Sequence, residues 1–292
     1  MKLDEAGKFD VDIRHDIEYA RRGDRLLAGD LYVPRKKTDV PLLVAFHGGG
    51  WKRGDRGRYR HIGAYLARRG IAVFSAGYRF VNSEAGTATY LAAVADARAA
   101  VKFMRKNADR FGVDPERIGV IGDSAGAHLA ALVALAGDRR PFDALDTDEP
   151  AQLASTPCRV SVAIGIYGVY DMLAQWRYDQ CTRPRDHITE QFLGVSAIEN
   201  RAIYHEASPL TYATTHANTI SFFLAWGTAD DIVDPDSQSK AFLEALKQAG
   251  YFVRTAILTD APHFWIGDPI DEAHSHTAWL APRLFRFLIE RL

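Results

Sequence analysis

The chain predicts an α/β fold: a mostly parallel sheet covered by helices on both faces, in one domain over residues 1–292. Three observations predict it. Several strand-length segments, such as "VPLLVAF" (40–46) and "IAVFSAGY" (71–78), are continuously apolar. Strands that read this way are buried on both faces, the habit of parallel sheets. They alternate with amphipathic stretches of helical period. The 292 residues are 47% hydrophobic, enough for one large core or two small ones, and no Pro/Gly/Ser-rich linker divides them.

In order along the chain, "VDIRHDIEYARRGDRLLAGDLYVP" (11–34) has partial period-two alternation around Arg22–Gly23–Asp24, predicting two strands and a turn at one edge of the sheet. Residues 40–46 are the first buried strand. Residues 58–70 predict a helix that stops at Gly70, a good C-cap, and 71–78 predict the next strand. Apolar residues at three- and four-residue intervals predict one long helix over 88–112. A strand at 117–122 then leads into a helix over 127–137. Strands follow at 159–168, 219–227 and 251–258, with helices at 235–250 and 274–292. The interval of about 168–212 breaks the alternation. It is rich in aromatic and charged residues and reads as a cap insertion folded over the sheet.

Charge and composition narrow the function. Lys plus Arg number 36 against 37 Asp plus Glu, so no basic surface points to nucleic acid as a partner. No apolar run approaches the roughly 20 residues of a membrane span. The first ten residues are charged and lack a leader's apolar core, which predicts a cytoplasmic protein. Cys158 and Cys181 are the two cysteines; they read as inert thiols rather than a disulfide framework. Metal-ligand spacing is missing: His274-x-His276 places its rings on different helix faces, and the acidic run after residue 229 reads as a solvated loop. No cofactor is predicted.

Two motifs point to chemistry. "GDSAG" (122–126) follows a strand and opens a helix. That setting is a nucleophile elbow, with Ser124 presented on a sharp turn. A serine hydroxyl needs a base, and the base a carboxylate. On such a scaffold the order is Ser, acid, His. After the strand at 219–227 stand Asp230, Asp231, Asp234 and Asp236; Asp230 is nearest the strand end, with Asp231 its rival. After the strand at 251–258 stands His263. His187, His205 and His216 precede the acid loop, His274 and His276 come too late, and His128 is expected to pack on its own helix. The second motif is "HGGGW" (47–51), after the first buried strand. Three glycines in a row let a backbone approach a ligand and aim its N–H groups. No Walker pattern accompanies them. Gly49, Gly50 and Ala125 are therefore predicted to form an oxyanion hole, with His47 anchoring the loop. Asp123 and Arg79 read as structural charges with partners that the sequence does not identify.

"HGGGW", "GYR" (77–79), "FGVDPERIGVIGDSAGAHLAAL" (111–132), "YGVYD", "EASPL", "GTADDIV" and "APHFW" together resemble the α/β-hydrolase fold. More narrowly they resemble serine esterases of the hormone-sensitive-lipase and BD-FAE type, which include acetyl and feruloyl esterases and kynurenine formamidases. The resemblance spans about residues 30–290. It implies Asp230 as the acid, since the family's G-x-x-D-x-x-V pattern falls on Gly227, Asp230 and Val233. The long N-terminal cap of many relatives has no room here, so the lid must come mostly from 168–212. The implied activity is a serine carboxylesterase acting on a small-molecule ester with short-to-medium acyl or aryl groups. An arylformamidase with the same triad is the alternative within enzymes, and a non-catalytic ligand-binding protein is the alternative outside them. Homodimers are common among relatives and are the assembly the resemblance offers. Trp51, Tyr167, Tyr170, Phe264 and Trp265 are expected to line the substrate pocket, with Trp176 and Tyr178 from the insertion.

Overall fold

The computed structural model describes residues 9–81, 90–139, 141–142 and 151–292. The leader reading of the first eight residues and the first two residues of the helix expected over 88–112 lie outside these. Among the described residues, eight strands form one sheet in the order β1-β2-β4-β3-β5-β6-β7-β8. β1 (Val11–Arg22) and β2 (Arg25–Pro34) are an antiparallel hairpin, and β2 runs antiparallel to β4 (Ala72–Ala76). From β4 onward every pairing is parallel, through β3 (Val40–Phe46), β5 (Val113–Asp123), β6 (Val162–Ile166), β7 (Ser221–Gly227) and β8 (Phe252–Leu258).

The continuous apolar strands have the predicted cause. Along β3, Leu42, Val44 and Phe46 enter one core while Leu43 and Ala45 enter the other. Successive side chains alternate faces, so a strand with helices on both sides has no polar face. The first core holds α2 (Tyr90–Lys106) and α4 (Ala125–Ala136). The second holds α1 (Arg60–Ala67) and α10 (His276–Arg291).

Several elements differ from expectation: β5 starts four residues early, at Val113, β6 covers only Val162–Ile166 and α4 starts two residues early, at Ala125. The helix read over 88–112 stops at Lys106 and restarts as α3 (Ala108–Phe111). Asn107 separates them with its side-chain amide donating to the Phe103 carbonyl, and Gly112 closes α3 in the left-handed conformation. The helix read over 235–250 opens with one wide turn at Asp236–Lys240 before α9 (Ala241–Gln248). The last helix begins two residues late because Ser275 caps it, accepting from the Ala278 N–H. A short α5 (Ala151–Ala154) precedes β6, and α6 (Met172–Thr182), α7 (Ile188–Leu193) and α8 (Arg201–Glu206) run between β6 and β7. Those three helices occupy the interval that broke the alternation. Among the described residues no helix is long and apolar enough to cross a membrane.

Candidate active site

Ser124 sits between the end of β5 and the start of α4 with φ 51° and ψ −120°. A non-glycine residue there stores about 1–3 kcal/mol of backbone strain that its surroundings must hold. The Ser124 N–H donates to the Ile166 carbonyl at 2.9 Å, and the His128 N–H donates to the Ser124 carbonyl at 3.2 Å. The flanking glycines are required by crowding. A Cβ on Gly122 would collide with the backbone of Gly126, and one on Gly126 would collide with the Phe46 carbonyl. The turn is thus sharp because two backbone segments touch across it.

Two loops at the carboxyl end of the sheet bring the other groups in. After β7, Asp230 turns back on itself: its Oδ1 accepts from the Ile232 N–H at 3.0 Å and the Val233 N–H at 2.9 Å. That leaves Oδ2 free to accept from His263 Nδ1 at 2.7 Å. His263 Nε2 in turn stands 3.0 Å from Ser124 Oγ. With a carboxylate on one side, Nδ1 carries the proton and Nε2 faces the hydroxyl as acceptor. Asp230 and His263 are both buried. Asp231 is exposed, and its carbonyl accepts from the Tyr178 hydroxyl at 3.2 Å. The geometry therefore brings together Ser124, His263 and Asp230 and leaves Asp231 outside.

The glycine loop lies against the elbow. The Gly48 N–H donates to Asp123 Oδ1 at 2.9 Å. Gly49 (φ 127°) and Gly50 (φ 60°) then reverse the chain, and the Gly49 carbonyl accepts from the N–H groups of Lys52 at 3.3 Å and Arg53 at 3.2 Å. Only glycine holds φ near +127° without strain. His47 is the anchor expected of it: its Nδ1 donates to the Gly48 carbonyl at 2.9 Å and its ring stacks on Tyr78. Burial lowers the His47 pKa, which keeps the ring neutral. The two structural charges now have partners. Arg79 grips Asp96 with two nitrogens, at 2.8 and 2.9 Å. Asp123 is fully buried beside the loop; burial raises its pKa, and the Arg58 guanidinium 3.7 Å away opposes that rise. Because a Cβ on Gly49 would strike the Arg53 carbonyl, and Gly49 is one of the oxyanion donors that the glycine motif predicts, Gly49→Ala is expected to lower kcat by about 10²-fold, the effect of losing one such donor. The check is kcat per active site, counted by titration with an organophosphate. A wild-type kcat would remove Gly49 from the site.

Ser124, Gly49, Gly50 and Ala125 share a cleft with about 740 Å³ of space, open to solvent. Its apolar walls are Trp51, Val169, Ile188, Ile232, Val233 and Phe264. Ile188 from α7 lies where a side chain on Gly50 would be, so α7 roofs the glycine loop.

The BD-FAE family matches residues 29–246, three quarters of the chain. The chain belongs to the BD-FAE family. The stretch that matches holds the glycine loop, the elbow and Asp230, while His263 lies beyond it. This BD-FAE chain is 31% identical to Esterase LipQ of Mycobacterium tuberculosis over 217 residues, 72% of this chain and 47% of LipQ. It is 32% identical to the probable isoprenylcysteine alpha-carbonyl methylesterase ICMEL1 of Oryza sativa subsp. japonica, over 76% of this chain and 50% of that protein. The chain thus spans about half the length of these curated relatives. Among solved structures, an esterase (Est2) from Thermogutta terrifontis superposes with a TM-score of 0.75 at 24% identity, covering 98% of this chain and 93% of that one. The likeness establishes the α/β-hydrolase fold.

The aromatic residues expected in the BD-FAE chain's pocket divide. Trp51 and Phe264 line the cleft, and Phe264 is 46% exposed. Tyr167, Tyr170 and Trp265 do not line it; they are core. Tyr167 lies under His263 at 4.5 Å between rings, and its hydroxyl accepts from the Ile266 N–H. Tyr170 stacks on Phe242 at 4.2 Å, and Trp265 packs edge-on against Tyr167 at 5.1 Å. All three follow strand ends, where chain direction decides whether a ring points to the cleft or under it. Trp176 donates to Glu190, joining α6 to α7. Cys158 is buried and Cys181 exposed, both as free thiols, and burial pushes Cys158 up to about 12.

Proposed function

We propose that this chain is a serine carboxylesterase that works through an acyl-enzyme. The observation that carries the reading is the connected chain Asp230–His263–Ser124, at 2.7 and 3.0 Å, opening on a cleft edged by the glycine loop. Ser124 Oγ attacks the ester carbonyl while His263 Nε2 takes its proton. Asp230 stabilises the imidazolium and keeps Nδ1 protonated. The N–H groups of Gly49, Gly50 and Ala125 receive the charge that develops on the carbonyl oxygen; Ala125 heads α4, where N–H groups have no partner within the helix. His263 then gives its proton to the leaving alcohol, and water repeats the cycle on the acyl-enzyme. α6–α8 act as the cap, and the roof that α7 makes over the glycine loop supports a preference for short acyl groups. The two free thiols support a reducing, cytoplasmic setting.

The test is hydrolysis of matched aryl acetate, butyrate and octanoate esters, with an N-formyl aryl amide beside them. Acetate and butyrate are expected to turn over at least about tenfold faster than octanoate, since forcing extra methylenes into a closed pocket costs about 1–3 kcal/mol. Faster cleavage of the amide would make the chain a formamidase. Binding of all four without turnover would make it a ligand-binding protein.

A further inference from the structure

Trp51 closes the glycine loop, and its backbone is held at φ 58°. Its indole stacks on Phe192 of α7, 4.2 Å between rings and 12° from parallel. Its Nε1 donates to His128 Nδ1 at 3.3 Å. An indole N–H can only donate, so Nδ1 of His128 accepts and Nε2 carries the proton. That Nε2 donates at 2.7 Å to the carbonyl of Ala207, the residue that ends α8. His128 is fully buried, and burial holds its pKa down to about 4, so the ring stays neutral and in this tautomer.

His128 stands one turn after Ser124 on α4. The residue before Ser124, Asp123, holds Gly48. The Gly49–Gly50 pair is therefore tied at both ends to neighbours of the nucleophile, one tie before it and one after. We infer that His128 is a positioning residue: through Trp51 it sets the distance of the Gly49 and Gly50 N–H groups from Ser124. The inference rests on the esterase reading. A donor aimed at an oxyanion loses most of its value when displaced by an ångström, about 10²-fold in rate. A loop that keeps its tie at Gly48 and loses the one at Trp51 moves less.

Trp51→Phe keeps a ring on Phe192 and deletes the N–H. His128→Phe deletes both hydrogen bonds. His128→Asn places a side-chain oxygen near the former Nδ1 and keeps the acceptor. With aryl butyrate as substrate and active sites counted by organophosphate titration, Trp51→Phe and His128→Phe are each expected to lower kcat about tenfold. In His128→Phe, whose residue does not line the cleft, KM should stay within about twofold, because the loss falls on the transition state. The double variant should lose no more than either single one, and His128→Asn should recover most of the loss of His128→Phe. A merely structural role would lower the yield of titratable sites and leave kcat per site alone. Wild-type kcat per site in Trp51→Phe, multiplied losses in the double variant, or no recovery in His128→Asn would each overturn the inference. Where His128→Phe fails to fold, Trp51→Phe and His128→Asn still decide, by the same kcat per site. Failure of the wild-type protein to cleave any ester would instead sink the esterase reading.

Discussion

Ser124→Ala is expected to reduce ester turnover by roughly 10⁵–10⁶-fold, the scale seen when a triad nucleophile is removed. The argument is geometric. Ser124 Oγ is the atom 3.0 Å from His263 Nε2 in the cleft, and alanine has no atom to attack with. The turn itself should survive. Alanine has the same Cβ as serine, so it meets the φ 51° backbone on the same terms. The bonds that hold the elbow, from Ser124 N–H to Ile166 and from His128 N–H to Ser124, are backbone bonds that the substitution leaves in place. Thermal midpoint and near-ultraviolet circular dichroism should match the wild type, and loss of organophosphate labelling should accompany loss of turnover. A folded Ser124→Ala protein that kept more than about a hundredth of the wild-type kcat, far above the residual 10³–10⁴-fold-over-water background of a dismantled triad, would defeat the nucleophile assignment.

Asp230→Asn is expected to lower kcat about 10⁴-fold. Asparagine can keep its oxygen where the N–H groups of Ile232 and Val233 bond Oδ1, so the loop should hold its shape. Its amide nitrogen then replaces Oδ2 opposite His263 Nδ1. Two donors cannot share that contact, so the proton of the neutral ring moves to Nε2. The nitrogen facing Ser124 then has no lone pair to accept with. Asp231→Asn is the paired control. Its side chain is exposed and its carbonyl, which meets Tyr178, is unchanged. Its kcat should stay within about twofold of wild type, the ordinary range for a surface substitution. Equal losses in the two variants would dissolve the choice between the aspartates.

Several parts of the site were legible because they depend on short stretches. The two glycines around Ser124 announce a turn too tight for a Cβ, and the structure supplies the colliding atoms, the Gly126 backbone and the Phe46 carbonyl. Asp230 was singled out as the first acid after its strand, and it is the one that reaches His263. The apolar run of β3 told of burial on both faces, and its residues do alternate between two cores. What misled was side-chain destination. Tyr167, Tyr170 and Trp265 stand near the motifs in sequence and were expected in the pocket, yet they lie in the core behind or beneath it. His128 was expected to pack on its helix and instead bridges Trp51 and Ala207, which are 77 and 79 residues away. The only sequence signal for that role is its spacing of four from Ser124, which puts it on the same face of α4.

By itself, then, the sequence determined the alternation of strands and helices, the tight turn at Ser124, the glycine loop and the places of Asp230 and His263 in the loops after their strands, all of which are set by backbone demands within a few residues. The tertiary structure decided which aromatic rings meet the cleft, which helix roofs the glycine loop, and what holds Gly48 and Trp51 in place. Those outcomes depend on close packing between segments far apart in the chain, where the direction of one side chain is fixed by neighbours that no local pattern encodes.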